Sequence, residues 1–164
     1  GLGSKQAKVL VTVKETRVSY AKWFVEEILA GMNVDADIDV YEDEEFIRVD
    51  ISGEDSGIII GRRGETLDAI QYLASLAVNK NQGEYKRVIV DIENYRQKRE
   101  ETLVRLANRL ADKVVRTKKS VALEPMNPFE RRIIHSTLQG DHMVETYSVG
   151  DEPNRRVVIT LKKK

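Results

Sequence analysis

Between Ser56 and Leu67 the chain reads Ser-Gly-Ile-Ile-Ile-Gly-Arg-Arg-Gly-Glu-Thr-Leu, an apolar segment that breaks into a Gly-x-x-Gly turn holding two arginines. These residue types suit contact with phosphate. Glycines at 61 and 64 let the main chain approach a ligand, and a helix starting after Gly64 would aim free N–H groups and its positive dipole end at an anion. Arg62 and Arg63 add charge at the same place. A second constellation lies at Arg131 and His135, four residues apart on a segment that opens Asn127-Pro128-Phe129-Glu130. Asn as cap, Pro at the first helical position and Glu three residues after the cap predict a helix start there. At that spacing the two side chains stand about 40° apart and project from one stripe. A guanidinium beside an imidazole can grip phosphate, stack on a base, or do both, with Lys118 and Lys119 as further cations. The plainer alternatives are a structural turn and an Arg and His that bond within their own module. Phe129 and Ile133 point away from Arg131 as a core face, yet Ile134 and Leu138 flank the stripe. The helix is therefore buried on two sides or carries a mixed apolar and basic platform.

Other chemistry finds little support. The chain has no cysteine and only His135 and His142, which argues against disulfides, thiolate catalysis and a His- or Cys-based metal centre. Asp35, Asp37 and Asp39 alternate with Val34, Ala36, Ile38 and Val40, so they fall on the wet face of a strand and lack the turn residues of a calcium loop. No Gly-x-Ser-x-Gly occurs, and the run from Gly57 to Thr66 lacks the Gly-Lys-Ser/Thr of a nucleotide-binding loop. The expectation is a binding protein without a cofactor or metal, not an enzyme.

The 164 residues, 41% hydrophobic and 33% charged, read as globular. Apolar runs fall far short of the ~20 residues needed to span a bilayer, and the amino terminus has no apolar signal core, so the expected location is the cytoplasm without membrane insertion. The net charge of +0 conceals an asymmetry: residues 1–55 hold 6 Lys or Arg against 13 Asp or Glu, and residues 56–164 hold 21 against 14. A basic remainder suits a polyanionic partner, whereas the bland reading is two solvated faces.

The elements that must position these residues follow from periodicity. Residues 1–8 start without Met and lead into a strand-like Val9–Val13, as though continuing something longer. Ala21, Phe24, Val25, Ile28 and Leu29 predict a helix over 18–31 with Ser19 as a cap and Gly31 as a stop. Strands follow around Val34–Val40 and Ile47–Ile51, separated by a loop at Glu42–Glu45. A short helix precedes the glycine turn; then Leu67, Ile70, Leu73, Ala74 and Ala77 predict a helix over 65–80, and Val88–Ile92 a third strand. Leu103, Leu106, Leu110 and Val114 place one long helix over 94–118, a rigid connection to a second module. That module holds a short strand near Val121–Leu123, the helix from Pro128, and strands Met143–Val149 and Arg155–Leu161 around a loop at Gly150–Asn154. The fold class is α+β, an α-β-β-α-α-β module joined by a long helix to a small module with a three-stranded sheet. Expected divisions are residues 1–16 as a tail, 17–93 and 94–164.

In that context the run Ile60-Gly61-Arg62-Arg63-Gly64 with Leu67 resembles a KH domain of the second topological type. The resemblance implies that the turn clamps the backbone of a single strand and that Ile58, Ile60 and Leu67 line a groove for bases. The Arg131-xxx-His135 segment, with two strands after it, resembles the single-stranded nucleic-acid-binding domain named for that motif. In this order, joined by a long helix, the two resemble the Jag (SpoIIIJ-associated) family across essentially the whole chain, and the opening glycines resemble the end of that family's small amino-terminal domain. This implies a bacterial cytoplasmic protein that binds single-stranded RNA, with single-stranded DNA as the alternative ligand, linked to cell elongation, division or sporulation. It also implies a homodimer or a heterodimer with a small KH protein. A protein-interaction scaffold built on a KH fold is the rival reading.

Overall fold

The computed structural model describes residues 16–80 and 83–162 and divides into two compact units, Gly1–Glu93 and Asn94–Lys164. The predicted strand at Val9–Val13 lies outside the described residues. The first unit runs α1 (Arg17–Gly31), β1 (Asp37–Glu42), β2 (Phe46–Ser52), α2 (Ser56–Ile60), a 3-10 turn (Arg62–Gly64), α3 (Glu65–Asn79) and β3 (Arg87–Ile92). This is the α-β-β-α-α-β order expected. Helix α1 begins ahead of its predicted cap. Thr16 is the N-cap, its hydroxyl accepting from the Ser19 amide while the Ser19 hydroxyl accepts from the Thr16 amide, so Ser19 closes a reciprocal capping box from the third helical position.

The sheet order is β1-β2-β3, with β1 antiparallel and β3 parallel to the central β2. Register aligns Ile38, Ile51 and Ile92, and also Val40, Val49 and Val90, on one face. Helices α1 and α3 pack on that face and on each other. Ala21, Val25 and Leu29 from α1, and Leu67, Ile70, Ala74 and Val78 from α3, complete the core. Leu73, predicted for it, is 46% exposed. The α3 sequence carries two apolar stripes, and the one holding Leu67 meets the sheet while Tyr72, Leu73 and Leu76 face outward. The sheet's other face is polar. Arg48 bonds Asp50 at 2.8 Å, and the alternating Asp35, Asp37 and Asp39 are all exposed.

Glu93 and Asn94, both with left-handed backbone, lead into the second unit. It comprises α4 (Tyr95–Thr117), β4 (Val121–Ala122), α5 (Pro128–Leu138), β5 (Val144–Val149) and β6 (Arg156–Leu161). Its sheet is antiparallel in the order β4-β6-β5. Leu103, Ala107, Ala111 and Val114 of α4 join Ile133, Ile134 and Leu138 of α5, with Val144, Val157 and Ile159 of the sheet, in one core. Leu106 and Leu110 are half-buried at its margin. The long helix thus spends its apolar stripe wholly inside the second unit.

Candidate nucleic-acid interface

The glycine turn owes its shape to three left-handed residues in four. Gly61 has φ 67°, Arg63 φ 57° and Gly64 φ 86°. With ψ −164° Gly61 lies in a region essentially confined to glycine, whereas Gly64 is in the left-handed helical region that costs a side chain roughly 1–2 kcal/mol, a cost Arg63 bears. Gly61 has a second reason: a Cβ there would overlap the Thr66 hydroxyl and lie 3.2 Å from the Thr66 amide nitrogen. Its own N–H donates to the Gly57 carbonyl at 3.0 Å, closing α2. Arg62 is exposed and Arg63 half-buried. Helix α3 starts at the turn without a side-chain cap, but Glu65 and Asp68 stand in its first turn. These carboxylates already offset part of the helix's positive end, so attraction for phosphate here rests on the arginines more than on the dipole.

The three residues expected to line a groove separate by burial. Ile58 is 52% exposed, Ile60 is half-buried, and Leu67 is fully buried. Leu67 takes its place among the α3 core residues, so no ligand reaches it while the core is closed. Ile59, between the two isoleucines, is likewise fully buried and anchors α2. The accessible apolar surface beside the turn is therefore Ile58 with part of Ile60.

In the second unit the helix start at Asn127 has the predicted cap, the Asn127 side chain accepting from the Glu130 amide at 2.9 Å with Pro128 in the first turn. Glu130 does not complete a capping box. Its carboxylate accepts from Arg99 Nε at 2.7 Å, and its second oxygen is buried without a hydrogen-bond partner. The two-sided burial of α5 resolves with a correction. Ile133, Ile134, Leu138, Glu130 and Arg131 are buried, and Phe129, expected on the core face, is 64% exposed.

Arg131 and His135 do not form the outward donor pair that their spacing suggests. The Arg131 side chain is only 9% exposed. Its guanidinium donates to both Glu152 carboxylate oxygens, at 2.5 and 3.3 Å, and to the Met126 carbonyl at 2.6 Å. The planar fork of arginine matches a carboxylate in this way, and burial leaves the charge dependent on it. His135 places Nδ1 2.7 Å from Thr146 Oγ1 and Nε2 2.9 Å from Ser148 Oγ. Burial, with the charge of Arg131 as the smaller cause, holds its pKa below the ordinary imidazole value. One ring nitrogen of the neutral ring donates and the other accepts, and either hydroxyl serves both roles. Arg131 and His135 thus tie the β5–β6 hairpin to α5 at two points, Glu152 in the loop and Thr146 with Ser148 on β5.

What faces outward beside them is different. A cleft of about 420 Å³ is lined by Arg132, His135, Ser136, Gln139, Thr146 and Lys162, among others. Arg132 is exposed, as are Lys118 and Lys119 just beyond α4. Spacing arguments missed Arg132, Gln139 and Glu152. The first two were legible as the exposed neighbours of the motif on α5, whereas Glu152 comes from a distant loop that nothing in the local pattern ties to Arg131.

The two units match two family models. Residues 19–92 match the KhpA/KhpB KH domain, and residues 101–161 match the R-three-H domain, the one named for an Arg-xxx-His motif. The chain is 52% identical to RNA-binding protein KhpB of Clostridium symbiosum over 99% of its own length and 74% of that protein. It is 45% identical to KhpB of Bacillus subtilis over 98% of its length and 78% of that protein, and 35% identical to KhpB of Lactiplantibacillus plantarum over 91% and 46%. This chain belongs to the KhpB (Jag) family. The glycine turn with Ile58 to Leu67 therefore lies within a KH domain, and the tied Arg131 and His135 lie within an R-three-H domain.

Two outcomes follow from the site geometry. Leu67→Ala should destabilise the protein by about 2–5 kcal/mol, as a fully buried leucine does, while Ile58→Ala should change stability by under about 1 kcal/mol and weaken RNA binding. Chemical denaturation and fluorescence anisotropy on both variants check this. Because the folded state lowers the pKa of His135, the unfolded chain takes up more protons as pH falls through about 6.5, and the stabilisation that the neutral ring confers is lost on that descent. The melting-temperature advantage of wild type over His135→Gln should therefore shrink from about pH 7.5 to pH 5.5. An advantage that grew would mean that the imidazolium is the form bound by Thr146 and Ser148.

Proposed function

We infer that this chain binds single-stranded RNA, with the KH unit holding backbone phosphates at Gly61, Arg62 and Arg63 beside Ile58 and Ile60, and the buried Gly64 shaping the turn from beneath. The R-three-H unit presents Arg132, Lys118 and Lys119, with the accessible edge of His135. In this reading Arg131 acts indirectly, fixing the hairpin and the cleft wall. The observation that supports the reading is that both units match nucleic-acid-binding domain models in a chain whose relatives, matched along nearly all of its length, carry the name RNA-binding protein.

The charge distribution agrees and is sharper by unit than along the sequence. Gly1–Glu93 carries 11 Lys or Arg against 18 Asp or Glu, and Asn94–Lys164 carries 16 against 9. Residues 56–93 are balanced, five against five, so the change of sign falls at the unit boundary and not at the glycine turn. The R-three-H unit supplies the long-range attraction, and the KH unit contacts phosphate locally against an acidic background. The matches are to binding domains and not to enzyme families, and the proposed role is non-enzymatic. No helix among the described residues is long and apolar enough to cross a membrane, which fits the proposed cytoplasmic setting. A self-association or small-KH partner surface is favoured by one feature, the exposed Tyr72, Leu73 and Leu76 on α3.

The salt dependence of RNA affinity tests the assignment of the turn. Log affinity should fall with log salt at about 0.7 per phosphate contact, and Arg62→Asp with Arg63→Asp should flatten the slope by about 1.4 while leaving the remainder from the R-three-H unit. An unchanged slope would remove the turn from the interface, and a wild type that binds no single strand would leave the KH fold as a scaffold.

A further inference from the structure

The longest helix carries a feature that neither motif includes. Lys98, Arg105, Arg109, Lys113 and Arg116 of α4 are all exposed. At 3.6 residues per turn they fall within about 80° of arc, opposite the buried stripe of Leu103, Ala107, Ala111 and Val114. They run along about 27 Å of helix. Among the described residues the only ion pair on this stripe is the exposed Arg105–Glu101 contact at 3.8 Å.

Helix pairing is nearly balanced along the stripe: Arg105 with Arg109, Arg109 with Lys113, and Lys113 with Arg116 are like-charge pairs at three- and four-residue spacing, while Glu101 and Asp112 each stand three or four residues from two of its cations, every such pair being worth about 0.2–0.5 kcal/mol. The first turn of α4 holds no acidic residue, and Lys98 stands near the positive end of the helix, where a cation is disfavoured. Only Arg116 gains from the dipole at the far end. Asp112 and Glu101 line one edge of the stripe, and the other edge and the centre carry cations without a carboxylate.

We propose that this stripe is a third phosphate-contacting surface, a track along which the backbone of a single-stranded RNA lies. The inference rests on the RNA-binding reading of the chain and extends it to a surface outside both motifs. The occupant follows from charge and from what the stripe lacks. It has no exposed aromatic or aliphatic anchor of the kind that carries protein interfaces, so it recognises a repeating anion without specific shape. An anionic membrane is the poorer match, because a surface-lying helix inserts an apolar face and that of α4 is committed to the unit's core.

The test uses the full chain with Arg105→Gln, Arg109→Gln and Lys113→Gln combined, and Arg109→Gln alone; glutamine keeps helix propensity close to that of the residues replaced. Anisotropy with a labelled mixed-sequence RNA long enough to run the length of α4 is read across salt concentrations, beside melting temperature and binding to phosphatidylglycerol vesicles. The triple variant should lower the log–log slope by about 2 and the single variant by about 0.7, with melting temperature unchanged or raised. Wild-type binding with an unaltered slope in the triple variant overturns the stripe and leaves the RNA-binding reading standing. An RNA slope that is unaltered while vesicle binding falls overturns it in favour of a lipid surface. Failure of the wild type to bind RNA overturns the underlying reading as well.

Discussion

A guanidinium taken out of water must find its counter-charge close by, and Arg131 organises the second unit around that requirement. Its fork closes on Glu152 from the β5–β6 loop and on the Met126 carbonyl ahead of α5. Removing Glu152 would strand the buried Arg131 charge, a far larger penalty than the net gain of the intact pair, whereas the Glu152 side chain is 52% exposed. With His135 bridging Thr146 and Ser148, the hairpin and the helix are held in one arrangement. The cleft beside His135 and the outward presentation of Arg132 depend on it. The two residues that name the motif thus act first as fasteners, and the surface they fasten is built from their neighbours.

The first unit solves a different problem. Its proposed contact surface is largely backbone, and backbone can approach a ligand only where side chains are absent. Three left-handed residues in the turn, with Thr66 packed against Gly61, hold the loop open at the end of α3. Ile59 and Leu67 secure the turn from the core side, leaving Ile58 and Arg62 outside. The first unit carries 11 Lys or Arg against 18 Asp or Glu, so this cationic turn stands in a unit of net negative charge.

Local signals were legible and long-range ones were not. The start of α5 at Asn127-Pro128 reads directly because a cap and a fixed φ act within four residues. The buried faces of β2 and β3 read from alternation for the same reason. Helix α3 misled because its two apolar stripes are equivalent in sequence, and only the packing of α1 and the sheet chose Leu67 over Leu73. Thr16 and Ser19 both suit a cap by residue type, and only the backbone shows that Thr16 takes the role with Ser19 as its third-position partner. Arg131 misled most: four-residue spacing to His135 fixes a shared stripe but not whether that stripe faces solvent, and its partner Glu152 lies 21 residues away. The basic face of α4 can be found by period alone, but only burial of the opposite stripe shows that it is free of the core.

Both units thus present cationic surfaces by different means, a glycine-shaped turn in one and a helix-borne field in the other. The sharpest test of this division is ultraviolet crosslinking of the full chain to a labelled single-stranded RNA, followed by identification of the crosslinked peptides. Crosslinks are expected in the peptide holding Gly61–Gly64 and in peptides from α4 and α5 of the second unit. Crosslinks confined to the acidic strands β1 and β2, with none in the second unit, would contradict it.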